Sequence, residues 1–172
     1  MLCVTTVSYS IIFNGEHLDF FQLQRGLRQG DPLSPYIFIF LIEALNFLMA
    51  NVLHLNLVSG IKLSRSYPFL THLLFADDSL FFLKANVAEC DALMNTLHKY
   101  CYASGQRINF NKSGIFFSPN THSSLKVALS NTSRVQILND LGKYLGLPTS
   151  WGSSKKQAFN NNTNRILAKI GG

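Results

Sequence analysis

The chain has 172 residues, 47% hydrophobic, 12% aromatic and 14% charged. That length suits one domain, or one and a small piece of another, and the apolar content excludes intrinsic disorder, which requires low hydrophobicity and high charge. The net charge of +6 is unevenly spread: residues 1–98 hold five basic and eight acidic residues, net −3, while residues 99–172 hold ten basic residues and only Asp140 as an acid, net +9. Such asymmetry joins a carboxylate-bearing half to a half suited to polyanions, although a basic tail that only aids solubility has the same sum.

In chain order, residues 4–13 and 18–23 are β-prone runs about Asn14-Gly15, a strong hairpin signal. A basic, glycine-containing loop follows over 26–30. Asp31 then reads as a helix N-cap with Pro32 at the first helical position. The helix continues over 34–53, with Leu33, Ile37, Phe40, Leu41, Ala44, Leu45 and Leu48 at helical spacing and Glu43 toward a polar neighbour or solvent. The apolar run 36–50, interrupted by Glu43 and Asn46, is shorter than the ~20 residues of a bilayer span. It is expected as a buried helix, with no membrane partner.

Residues 69–75 and 79–84 are apolar runs about a tight Ala76-Asp77-Asp78 turn, expected deep in the core. Residues 87–103 form an amphipathic helix, with Cys90, Leu93, Met94, Leu97 and Tyr100 on one stripe, ended by Ser104-Gly105. A strand at 115–117, a short helix at 122–130, a strand at 143–147 stopped by Pro148, and a basic helix at 155–170 complete the pass. The order indicates an α+β fold with an antiparallel sheet. Cys3, Cys90 and Cys101 match neither a zinc pattern nor a disulfide framework. The first ten residues do not read as a signal peptide, and an intracellular chain is expected.

The chemistry concentrates at Asp77-Asp78. Adjacent carboxylates between apolar strands repel one another unless a cation compensates, and Mg²⁺ takes one or two carboxylates together with substrate phosphates. An Asp-Asp pair also simply makes turns. The loop at Arg25, Arg28, Gln29 and Gly30 offers guanidiniums and main-chain N–H groups ahead of a helix, which suits phosphate. Ordinary surface charge is the plainer reading of Arg25 and Arg28.

Together these runs resemble the reverse transcriptase of non-LTR (LINE-type) retrotransposons, most closely the plant branch. Arg25-Gly-Leu-Arg-Gln-Gly-Asp-Pro-Leu-Ser-Pro35 resembles the second palm motif, and Phe75-Ala-Asp-Asp78 the catalytic box. Ser104-Gly-Gln-Arg-Ile-Asn-Phe-Asn-Lys-Ser113 resembles the motif that follows, and Tyr144-Leu-Gly-Leu-Pro148 the primer grip. The order and spacing of four motifs carry the resemblance, which runs from Val4 to Lys169.

It implies a partial polymerase palm, an antiparallel sheet with helices on one face, over residues 1–118, running into the palm–thumb junction and the start of a thumb over 119–172. Asp77 would ligate catalytic Mg²⁺ (or Mn²⁺), with Asp78 as its neighbour and partial ligand. Arg25, Arg28, Gln29 and Gly30 would line the site for nucleotide and template. Lys112 would stand near the triphosphate as charge stabiliser or proton donor, and Tyr144, Leu145 and Gly146 would hold the primer end. The implied partners are an RNA template, a DNA primer, dNTP and the remaining parts of the parent polyprotein. The implied place is the nucleus.

In that family a bridging Asp lies well upstream of the Arg-Gly-Leu-Arg-Gln-Gly motif. The residues before Arg25 contain only Glu16 and Asp19 as acids, and Asp31 reads as a cap. The expectation is therefore a fragment of an RNA-directed DNA polymerase that is inactive alone. Two alternatives stand beside it: a non-catalytic, basic nucleic-acid-binding remnant of a retrotransposon, and a metal-binding acidic-pair protein of another family.

Overall fold

The computed structural model describes residues 7–22, 26–27, 30–140, 142–144 and 147–148. The chain divides into two compact units, 1–108 and 109–172. The fold is α+β, as its sequence order indicates.

The first unit opens with the hairpin signalled by Asn14-Gly15. Ser8–Tyr9 (β1) pairs antiparallel with Phe21–Gln22 (β4), and Ile12–Phe13 (β2) with Glu16–His17 (β3). Both turn residues have positive φ, 51° and 87°, the sign pattern of a type I′ turn. Ile12 faces His17, but Tyr9 faces Phe21, so the returning strand carries one extra residue between the ladders. This bulge splits the expected long strands in two. Ser10 Oγ donates to the Leu18 carbonyl at 2.6 Å, and the Leu18 N–H donates to the Ile11 carbonyl at 2.9 Å, across the break.

The long helix, Ser34–His54 (α1), begins later than Asp31-Pro32 suggests. Leu33 is its N-cap, and a proline, Pro35, stands in the first turn. Asp31 Oδ1 accepts from the Leu33 N–H at 3.0 Å, and its carbonyl accepts from the Ser34 N–H at 3.1 Å. Asp side chains readily bond the backbone two residues on, which commits this carboxylate to a turn ahead of the helix. Leu45 and Met49 are buried, with Leu48 and Val52 packed beside them. Phe40 and Ala44, expected on the buried face, are exposed. Apolar residues surround α1, so periodicity alone does not choose the inward face. By length and composition this 21-residue helix matches a membrane span, which removes the length objection made from 36–50; here one face packs into a core.

That core is Leu45 and Met49 of α1 against Leu93 and Tyr100 of the helix Val87–Ser104 (α2), with Leu74, Phe81, Leu83, Leu97 and Cys101 packed around them. Cys90 is also buried, and burial first, then the charge of Asp91, push its thiol pKa up. It behaves as a small apolar residue. Gly105 ends α2 in the left-handed conformation, its N–H bonded to the Cys101 carbonyl at 3.0 Å. Another glycine is required where Ile61 and Leu70 exchange two 2.8 Å backbone bonds. Gly60 has φ +65°, and a Cβ there would lie 2.6 Å from the Leu70 carbonyl oxygen.

Between the helices, His72–Phe75 (β5) and Asp78–Phe81 (β6) form an antiparallel hairpin. The expectation that it lies deep in the core is corrected. His72 and Leu74 are half-buried toward the core, whereas Leu73 and Phe75 on the other face are exposed. The described ladder has two strands, and only one of its faces is packed against the core.

The second unit starts with a 3₁₀ turn, Phe110–Lys112, and the strand Gly114–Phe116 (β7). The helix Ser123–Ser133 (α3) connects β7 to a parallel partner, Gln136–Leu138 (β8). The side chain of Leu138 stands where a Cβ on Gly114 would be, at 2.5 Å. Lys143–Tyr144 (β9) and Leu147–Pro148 (β10) pair antiparallel, so the run read as one strand over 143–147 folds back on itself. The helix read at 155–170 lies outside the described residues. In place of one antiparallel sheet with helices on one face, the described strands form five two-stranded ladders, one of them parallel.

Candidate functional site: an acidic hairpin turn

Asp77 and Asp78 stand at the tip of the β5–β6 hairpin. The turn is Ala76-Asp77 alone, and Asp78 is the first residue of β6, opposite Phe75. Ala76 has φ +48°, a conformation costing an L-residue about 1–2 kcal/mol. Side chains alternate across a strand, and the register places Asp78 with Phe75, Leu73 and Leu80 on the open face. Both aspartates are exposed. Neither carboxylate has a hydrogen-bond partner among the described residues. Two adjacent carboxylates with unengaged oxygens on a tight turn could hold a hard divalent cation that fills its remaining positions with water and phosphate oxygens. Among the described residues no three His, Cys, Asp or Glu side chains form a metal-binding group.

Beneath the turn runs a polar chain that the sequence did not signal. His72 Nδ1 lies 2.8 Å from Thr71 Oγ1, and its Nε2 lies 2.8 Å from Asn46 Oδ1 on α1. Asn46 Nδ2 donates to Glu43 Oε1 at 3.3 Å, the polar neighbour expected for Glu43. The imidazole stacks on Phe81, its cross-strand partner, with centroids 6.3 Å apart. Burial lowers the His72 pKa.

Glu89 is a second group not singled out, although Asn86-x-x-Glu89 ahead of an amphipathic run has the spacing of a capping box. Asn86 Oδ1 accepts from the Glu89 N–H at 2.7 Å. The Glu89 carboxylate, 6% exposed, accepts from the N–H groups of Ser59 at 3.1 Å and Lys84 at 3.0 Å and from Ser59 Oγ at 2.7 Å. Burial raises its pKa, but the hydrogen bonds from Ser59, Lys84 and Asn86 outweigh this and hold it below the usual value. This carboxylate clasps the end of the hairpin and the 59 loop to the start of α2.

Lys112 belongs to the second unit. The Asn109 side chain accepts from its N–H at 3.3 Å, Ser113 Oγ donates to the Asn109 carbonyl at 2.9 Å, and Lys112 is exposed on this turn. Gly30, with φ +80°, precedes the Asp31 turn. Arg25, Arg28, Gln29, Leu145 and Gly146 lie outside the described residues, and of Tyr144 only its place in β9 is described.

An uncharacterized mitochondrial protein of Arabidopsis thaliana is 46% identical over 68 residues, covering 40% of this chain and 56% of that protein. The chain thus matches little more than half the length of that relative. No solved structure matches. The model of the family described as reverse transcriptase (RNA-dependent DNA polymerase) matches residues 2–149, which span the acidic hairpin, the loop before α1 and the Lys112 turn, and the chain belongs to that family.

Proposed function

We propose that these residues are part of the palm of a non-LTR (LINE-type) reverse transcriptase, running into the start of its thumb. The observation that carries this reading is the pair Asp77-Asp78, exposed and without hydrogen-bond partners among the described residues at the tip of a two-residue turn within the span matched by the family model. The family implies a template, a primer and nucleotide substrates; an RNA template, a DNA primer and dNTP are the partners proposed here. On this reading Asp77 and Asp78 hold Mg²⁺ or Mn²⁺. Divalent cations held there would supply Lewis-acid activation of a primer 3′-hydroxyl and charge neutralisation for the leaving pyrophosphate. The chain's own contribution is to fix the two carboxylates on the hairpin. Lys112 would supply positive charge to a triphosphate, and the other nine basic residues of 99–172 would neutralise backbone phosphates.

The bridging Asp motif of the family is not found in these 172 residues, and no third ligand joins the pair among the described ones. We therefore expect no polymerisation from this chain alone. The test is extension of a primed RNA template by the purified chain with Mg²⁺ and dNTP. No extension, with binding of the primer–template that weakens steeply with salt, is the expected result. Extension that Asp77→Ala abolishes would show a complete active site. On this reading the parent chemistry acts on genomic DNA, and the nucleus is the proposed place.

A further inference from the structure

We propose that His72 is a positioning residue: fixed as the Nε2–H tautomer between Thr71 and Asn46, it ties the strand leading to Asp77-Asp78 to the middle of α1. The assignment follows from donors and acceptors. A carboxylate oxygen only accepts, so the Asn46 atom facing Glu43 Oε1 is Nδ2, and the atom facing His72 is Oδ1. A carbonyl oxygen also only accepts, so His72 Nε2 carries a proton. With a neutral ring, Nδ1 is the acceptor of the Thr71 hydroxyl proton. Thr71 is itself buried, which leaves this end of the chain little room to rearrange.

The placement gives the tether its consequence. His72 lies three residues before Phe75, about 10 Å back along the strand from the turn. Its partner Asn46 sits on α1, which starts at Ser34, beyond the Asp31 turn that follows Gly30. The two motif-bearing elements of this unit are therefore joined by a directional bond as well as by apolar packing, which tolerates sliding. A pair of carboxylates on a short ladder needs such a bond to keep one angle against α1. The consequence for metal binding rests on the function proposed above; the tether itself is a statement about the hairpin.

The test uses the full chain labelled with ¹⁵N. Wild type is expected to show His72 as the Nε2–H tautomer. His72→Phe keeps a ring against Phe81 but removes both hydrogen bonds, and Asn46→Leu removes the partner. Each is expected to speed amide exchange in β5 and β6 by about tenfold, the scale of one net hydrogen bond, with α2 unchanged. The double variant is expected to add nothing further, and His72→Gln, which restores an amide donor, to recover part of the protection. A Nδ1–H tautomer, unchanged hairpin exchange, or equal loosening of α2 would overturn the proposal. If His72→Phe does not fold, the wild-type tautomer and Asn46→Leu decide. Mn²⁺ titration of wild type and Asp77→Ala separates the two readings: identical responses would remove the metal function, while amide exchange would still decide the tether.

Discussion

Glu89 shows how much one side chain carries in a small core. Four donors converge on its carboxylate from three segments, and an amide in its place presents N–H groups to some of those donors. Glu89→Gln is expected to destabilise the first unit by about 1–3 kcal/mol, read as a lower denaturant midpoint. The folded pKa is depressed, so the carboxylate's contribution is complete above the unfolded value of about 4.3 and is lost as pH falls through the lower folded value. The gap between wild type and Glu89→Gln should close over that acid range; a gap independent of pH would contradict the clasp. Tyr100 makes the opposite case. Its Oη is buried with no hydrogen-bond partner among the described residues, so Tyr100→Phe should leave stability unchanged or raise it by up to about 1 kcal/mol. A clear loss in thermal melting would mean the hydroxyl has a partner.

Among the elements, the acidic hairpin holds local backbone strain at Ala76. Ala76 adopts a positive φ that glycine adopts freely, so Ala76→Gly should stabilise the hairpin by about 1 kcal/mol, with β5–β6 amide exchange as the measure. Slower folding or faster exchange would show that the alanine methyl serves packing instead. This hairpin, α1 and α2 were legible in the sequence because Asn-Gly, Ser-Gly and the Asp-Asp box punctuate long apolar runs. The depth of the hairpin was not legible, because alternation cannot reveal how many strands lie beside a ladder. The start of α1 was obscured by two prolines and by an aspartate with two uses, turn and cap. β8 was missed, since Gln136–Leu138 is short and has meaning only beside β7. The exposed turn at Asp77-Asp78 could be read from an acidic pair set between apolar runs. His72–Asn46 could not, because its partners are 26 residues apart and only the fold brings them together.

At the scale of the whole molecule, low charge and an apolar helix leave large side chains in solvent. Tyr36, Phe40 and Phe47 share one side of α1, the last two more than 70% exposed. Contiguous apolar surface of this kind drives association. Phe40→Ser with Phe47→Ser is expected to reduce self-association in sedimentation or light scattering without lowering the melting temperature; an unchanged oligomer would place the sticky surface elsewhere. The division of charge, −3 and +9, has a function on the proposed reading, with carboxylates on one part of the chain and phosphate-neutralising cations on the other. The central claim is that Asp77 and Asp78 form a metal-holding turn. Residue-resolved paramagnetic broadening by Mn²⁺ tests it most directly. The account predicts broadening centred on the amides of Asp77 and Asp78 and lost in Asp77→Ala; broadening centred elsewhere, or unaltered by that substitution, would contradict it.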